Sequence, residues 1–131
     1  MLLDTSGLFC LLHRDEPQHV MAHRIYSGTT NRLTHGYILD ELVSLAMTRR
    51  VSRAASLNFS QQLLDDANIE VVWVDENLHR SGLDLLFARP DKTYSLCDAV
   101  SFVLMSERGE TEALTTDRHF EQEGLVRLLA P

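Results

Sequence analysis

The stretch Met1-Leu2-Leu3-Asp4-Thr5-Ser6-Gly7-Leu8-Phe9-Cys10-Leu11-Leu12 decides the fold. Its first three residues form an apolar run that stops at an acid, which reads as a short buried strand. Asp4-Thr5-Ser6-Gly7 then leads into Leu8 to Leu12, an apolar helical start. A strand running directly into a helix opens a βα unit, and the remaining chain repeats the alternation.

Asp15-Glu16-Pro17 breaks the first helix and opens a second to about Ser27, with Pro17 in its first turn. Arg32 to His35 reads as a short strand. Tyr37 to Arg50 and Ser52 to Asn68 read as helices. Ile69 to Val74 is β-branched and aromatic, hence a strand. Asp75 or Asn77 caps a helix to Ala88. Ser95 caps another through about Arg108, stopped by Gly109. Ala113 to Thr116 and Leu125 to Leu129 are the last two strands. Strands alternating with helices, short and mostly apolar, predict an α/β fold. The expected architecture is a three-layer, Rossmann-like arrangement with a short parallel sheet flanked by helices. No linker or repeat interrupts residues 1–131, so a single domain is expected.

Composition narrows the classes. The chain has 131 residues, 44% hydrophobic and 24% charged, which is ordinary globular usage and excludes a disordered tail. No apolar run reaches the roughly 18 residues of a membrane span, and the start lacks a basic n-region. Cys10 and Cys97 sit in apolar stretches without zinc spacing and read as buried free thiols, so the cytoplasm is the expected compartment. The net charge is −7, which argues against gripping nucleic acid over the whole surface. Yet residues 42–64 carry no acid while Arg49, Arg50 and Arg53 fall there. That stretch suits either a polyanion-facing patch or a solvated helix end. His13, His19, His23 and His35 read most simply as helix-surface or loop residues.

Four acids stand apart from the rest. Ligands of parallel sheets bind beyond the carboxyl ends of strands, where Asp4 and Asp117 both fall. Were those strands neighbours, the two carboxylates would converge, and convergent carboxylates call for a cation or a shared proton. Glu41 lies within the apolar stripe of Ile38, Leu42 and Leu45, so it is expected to face a polar pocket, whereas Asp40 shares a solvated face with Ser44. Asp98 completes a capping box with Ser95, but the helix it opens is apolar almost all round. Its first turn therefore opens onto the sheet edge, where capping and metal binding are compatible. Four acids without His or Cys among them suit Mg²⁺ or Mn²⁺, which activates water and offsets charge growing on a phosphodiester.

The same residues carry a resemblance to the PIN-domain ribonucleases, including the VapC-type toxins of bacterial toxin–antitoxin pairs. Its pieces are Asp4-Thr5-Ser6, Glu41 within Ile38-Leu39-Asp40-Glu41-Leu42, Tyr94-Ser95-Leu96-Cys97-Asp98-Ala99, and Leu114-Thr115-Thr116-Asp117-Arg118-His119-Phe120. Together they span nearly the whole chain. The resemblance implies Mg²⁺- or Mn²⁺-dependent RNA cleavage in a pocket of Asp4, Glu41, Asp98 and Asp117, with Thr115 or Ser6 orienting a carboxylate. It also implies a homodimer and a cognate antitoxin that pushes a basic side chain into the pocket. Arg49, Arg50, Arg53, Arg118 and His119 are the candidates for meeting substrate phosphates. A catalytically silent RNA- or protein-binding module and a housekeeping RNA-processing nuclease are the alternatives. A response-regulator receiver fits less well, because Asp4 is unpaired and the only lysine, Lys92, lies in a loop.

Overall fold

The computed structural model describes residues 1–131. In chain order the elements are β1 (Leu2–Leu3), α1 (Thr5–Leu12), α2 (His19–Ser27), β2 (Arg32–His35), α3 (Gly36–Thr48) and α4 (Arg53–Asp65). They continue as β3 (Ile69–Val72), α5 (Glu76–Ala88), α6 (Leu96–Arg108), β4 (Glu112–Leu114), α7 (His119–Gln122) and β5 (Val126–Arg127). The five strands form one sheet in the order β3-β2-β1-β4-β5, and every pairing is parallel. The three-layer α/β expectation is met. Because parallel crossovers are right-handed, α1 to α4, which carry the chain from β1 out to β3, cover one face. The α5–α6 pair, which carries it back across to β4, covers the other.

Local chemistry sets most of the boundaries. Ser52 Oγ caps α4 at the Ala55 amide (3.4 Å), and Asp75 Oδ1 caps α5 at Leu78 (2.8 Å). Ser95 and Asp98 exchange side-chain-to-backbone bonds of 3.0 Å each, a full capping box for α6. Gly109 closes α6 in the left-handed region at φ 65°. The second helix begins later than expected, at His19, with Pro17 in the preceding turn. Two histidines on the surface of α2 fix how it meets α1. His19 Nδ1 bonds the Cys10 carbonyl (2.7 Å) and His23 Nε2 the Leu11 carbonyl (3.1 Å), so α2 satisfies the free carbonyl end of α1.

The last three strands are shorter than their apolar runs, because pairing partners, not apolarity, decide where a ladder stops. Trp73 and Val74 extend beyond β3, Thr115 and Thr116 beyond β4, and α7 is a single turn without a sequence signal of its own. His35 also departs from expectation: it is fully buried at the end of β2. Ser101 Oγ donates to the Cys97 carbonyl (3.0 Å), so His35 Nε2–H must donate to Ser101 Oγ (2.8 Å). His35 Nδ1 is left without a partner. Burial pushes this imidazole down to about 4.

The core centres on Leu2 and Leu3, both fully buried between neighbouring strands, with Leu8, Ile38, Leu42, Leu104, Met105 and Leu114 packed around them. Cys10 and Cys97 are free and buried, as the sequence suggested. Gly7 marks the closest approach of helix to sheet: a Cβ there would lie 1.9 Å from the Leu114 carbonyl oxygen. Gly7→Ala must therefore lift α1 off β4. A loss of about 3 kcal/mol or more is expected in a denaturant titration. Gly109→Ala, which meets only open space but a left-handed backbone, should cost about 1–2 kcal/mol. Equal losses in the two variants would contradict the close-packed α1–β4 contact.

Candidate active site

The topology brings two acids together before side chains are considered. β1 pairs with β4 in the register Leu2↔Ala113 and Leu3↔Leu114. The chain leaves β1 in one direction and returns to β4 from the other, so the crevice between their carboxyl ends is the topological switch point of the sheet. Asp4 follows β1 immediately, and Asp117 follows β4 by three residues.

Asp4 sits at the N-cap of α1 but does not cap it with its side chain. Its Oδ2 instead accepts hydrogen bonds from Thr115 Oγ1 at 2.7 Å and Ser6 Oγ at 3.3 Å. Those hydroxyls also accept from the loop after β4: Thr115 Oγ1 from the Asp117 amide (3.0 Å) and Ser6 Oγ from the Thr116 amide (2.9 Å). The loop after β1 and the loop after β4 are thereby tied through two hydroxyls, and the Asp4 carboxylate is fixed between them.

Asp98, Asp117 and His119 form the neighbouring group. One ligand-type atom from each lies within 4.8 Å of the others. Asp98 Oδ2 takes the Ser95 amide and lies 3.0 Å from His119 Nδ1. Asp117 Oδ1 accepts from the His119 amide at 2.9 Å and stands 3.5 Å from His119 Nδ1. His119 Nε2 meets Thr93 Oγ1 at 3.1 Å, and its ring packs against Tyr94 with centroids 5.3 Å apart. The ring is held at both nitrogens and lies beside Asp98 and Asp117 while staying partly exposed. Nothing local in the sequence signals this, because the contact joins α6 to the first residue of α7.

Glu41 is exposed. The buried face of α3 is centred on Ile38, Leu39, Leu42 and Ala46, and Glu41 lies on its flank. Its charge nevertheless reaches both Asp4 and the Cys97 thiol. Burial, then the charges of Glu41, Asp4 and Asp98, push that thiol well above its usual range, so it is inert. Of the cations, Arg118 is exposed beside Asp117 and makes no ion pair. Arg49 pairs with Glu16 at 3.5 Å and overlies Phe9, while Arg50 and Arg53 face solvent. Arg49 lies eight residues beyond Glu41, about 12 Å along the helix axis.

The fold and these residues place the chain in the PIN domain family, whose family model matches residues 1–124. Among curated relatives it is similar to the 23S rRNA-specific endonuclease VapC20 of Mycobacterium tuberculosis, in the CDC 1551 / Oshkosh and ATCC 25618 / H37Rv strains. The identity is 26% over 129 residues, covering 98% of this chain and 97% of that protein. Among solved structures it resembles the crystal structure of M. tuberculosis VapC20, described as a Sarcin-Ricin loop cleaving toxin. That likeness has a TM-score of 0.87 at 25% identity, with 95% of each chain covered.

Asp4 carries the electrostatic strain of the site. Desolvation first, then the charges of Asp98 and Glu41, push its carboxyl up to about 7, against the lowering effect of the Thr115 hydroxyl and the Thr5 backbone. A carboxyl raised from the ordinary 3.8 stabilises the fold at low pH and loses that contribution as pH rises to about 7. His35 has the opposite sign: lowered from 6.5 to about 4, it favours the fold above pH 6.5 and loses that contribution toward pH 4. In chelator-treated protein the two contributions offset each other. Asp4→Asn should then uncover the histidine, so that thermal stability falls on acidification through the pH 6.5 to 4 window. At pH 8 the same variant should exceed its parent by a margin on the order of 3 kcal/mol. Parallel pH profiles for the two proteins would refute the strained Asp4.

Proposed function

We propose that this chain is a divalent-metal-dependent endoribonuclease, the toxin of a toxin–antitoxin pair. The observation that carries the reading is the meeting of Asp4, Asp98 and Asp117 at the switch point of the sheet. In each carboxylate one oxygen takes the side-chain or amide hydrogen bonds described above, and no side-chain donor claims the second.

This donor set fits a hard cation. Asp4, Asp98 and Asp117 offer carboxylate oxygens from three elements, and Glu41 adds a fourth from the flank of α3. Mg²⁺ or Mn²⁺ suits such ligands and accepts substrate phosphate alongside them. When bound, the ion supplies Lewis-acid stabilisation of phosphodiester charge and a water of lowered pKa. The chain's own residues supply position. Thr115 and Ser6 fix the plane of Asp4, His119 and the Ser95 amide fix Asp98, and the His119 amide fixes Asp117. Arg118 offers a cation for the RNA backbone next to Asp117. Arg50, just after α3, and Arg53, at the start of α4, would meet phosphates further along the strand, and Arg49 would join them on leaving Glu16.

The wider reading follows the same line. The proposed substrate class is RNA, the proposed compartment the cytoplasm, and the proposed assembly a homodimer neutralised by a cognate antitoxin with a basic side chain for the pocket. No helix is long and apolar enough to cross a membrane.

Asp4→Asn and Asp117→Asn should each abolish RNA cleavage while circular dichroism is unchanged. Thr115→Val, which removes a positioning bond, should lower kcat by about 10–100-fold. EDTA should stop the parent protein, with Mg²⁺ or Mn²⁺ restoring it and raising its Tm, a rise absent in Asp4→Asn. RNA binding without cleavage, and without an Asp4-dependent Tm shift, would instead identify a silent binding module.

A further inference from the structure

We infer that Trp73 is a stacking platform for an unpaired base of the RNA strand cut at the acidic site, an inference that rests on the ribonuclease reading above. Trp73 is the only tryptophan of the chain and is 65% exposed. Its indole offers a broad, rigid aromatic face to solvent at a defined edge of the sheet. Its place follows from register. β2 and β3 pair Thr34↔Val71 and His35↔Val72, and β1 pairs with β2 at Leu2↔Leu33. Continued along the strands, one row carries Asp4, His35 and Val72, and Trp73 stands one residue beyond it. The two residues lie at the same carboxyl edge of the sheet, two strand spacings apart, about 10 Å.

The ring is seated, not loose. Its Cε3 lies so close to Gly36 that a Cβ there would come within 3.0 Å. Trp73 helps line a cavity of about 240 Å³ together with Val72, Leu78, Leu104, Asn77 and Ser81. That is below the roughly 300–1,000 Å³ of drug-sized sites and suits a single ring system. Unpaired RNA bases are recognised by this combination, an aromatic face with polar groups at the base edge. Asp75, Glu107 and Arg108 also border the cavity, and the Arg108 guanidinium is already paired with Glu70. The rim is therefore net negative, which disfavours phosphate and leaves a neutral base as the favoured occupant. The phosphate backbone would pass instead toward the acidic site, so the stacked base belongs to a nucleotide flanking the cleaved bond.

The single tryptophan makes the test direct. Full-length Asp117→Asn protein is titrated with a single-stranded RNA of mixed sequence and with the same RNA carrying abasic sites. Strong quenching of the Trp73 emission by the first and weak quenching by the second are expected. In the cleaving protein, Trp73→Ala should raise KM about tenfold with kcat retained, and Trp73→Phe should recover most of the loss. Equal quenching by the two RNAs, or an unchanged KM in Trp73→Ala, would overturn the assignment. So would a change in oligomeric state with KM unchanged, which would give the surface to a protein contact. Failure of the ribonuclease reading looks different: the parent then cuts no RNA whatever residue stands at 73, and the quenching comparison still decides whether bases stack there.

Discussion

The parallel pairing of Leu2–Leu3 with Ala113–Leu114 is the constraint on which the site depends. It joins segments more than a hundred residues apart, and it does so at the one place where strand order reverses. Either strand paired elsewhere would leave Asp4 and Asp117 on separate rims. The Thr115–Asp4 bond, spanning 111 positions at 2.7 Å, then converts an approximate juxtaposition of loops into a fixed one. Gly7 permits this, because the helix must start within contact distance of the Leu114 carbonyl for Ser6 to reach the β4 loop. Backbone pairing, a missing Cβ and two hydroxyls therefore act in series.

Fixing carboxylates in a crevice has an electrostatic consequence. Asp4 is nearly inaccessible and lies in the field of two other acids, so its proton is held up to about 7. A neutral group of the same size would fold better there. The retention of a charge-bearing side chain at a site that disfavours charge is what a cation-binding pocket requires, since ligands must be deprotonated in use and the ion supplies the compensation. The hydrogen bonds from Thr115 and Ser6 lower that cost only in part. They also select which oxygen is free, and so the direction in which the group can ligate.

Much of this was legible in the sequence. The Leu-Leu-Asp start, the Ser95–Asp98 capping box and the β-branched run at Ile69 declared their elements through local chemistry, which a single sequence displays. The convergence of Asp4 and Asp117 was legible only conditionally, since parallel order depends on long-range packing that no local pattern encodes. His35 looked like a surface or loop group because histidine has no strong burial preference, yet it is fully buried against Ser101 of α6, 66 positions away. Glu41 stands on the flank of α3, because the buried face also includes Leu39 and Ala46, and from there its charge acts on Asp4 and Cys97.

The geometry also explains how a chain of net charge −7 keeps its acids gathered. In a parallel sheet, a helix that follows a strand starts at the carboxyl edge. α1 begins at Thr5, next to Asp4, and α6 begins at Leu96, two residues before Asp98. Helix N-termini carry partial positive charge and unpaired amides, worth about 0.3–1 kcal/mol each to a nearby anion. The Ser95 amide on Asp98 is one such contact made explicit. These fixed dipoles do not neutralise the cluster, as the raised Asp4 carboxyl shows. They lower its self-repulsion enough for the fold to persist while leaving a net negative field. Such a field attracts a divalent cation and repels RNA phosphates until one is bound. For the proposed metal-dependent ribonuclease, the scaffold would thereby set the binding order electrostatically: cation first, RNA second.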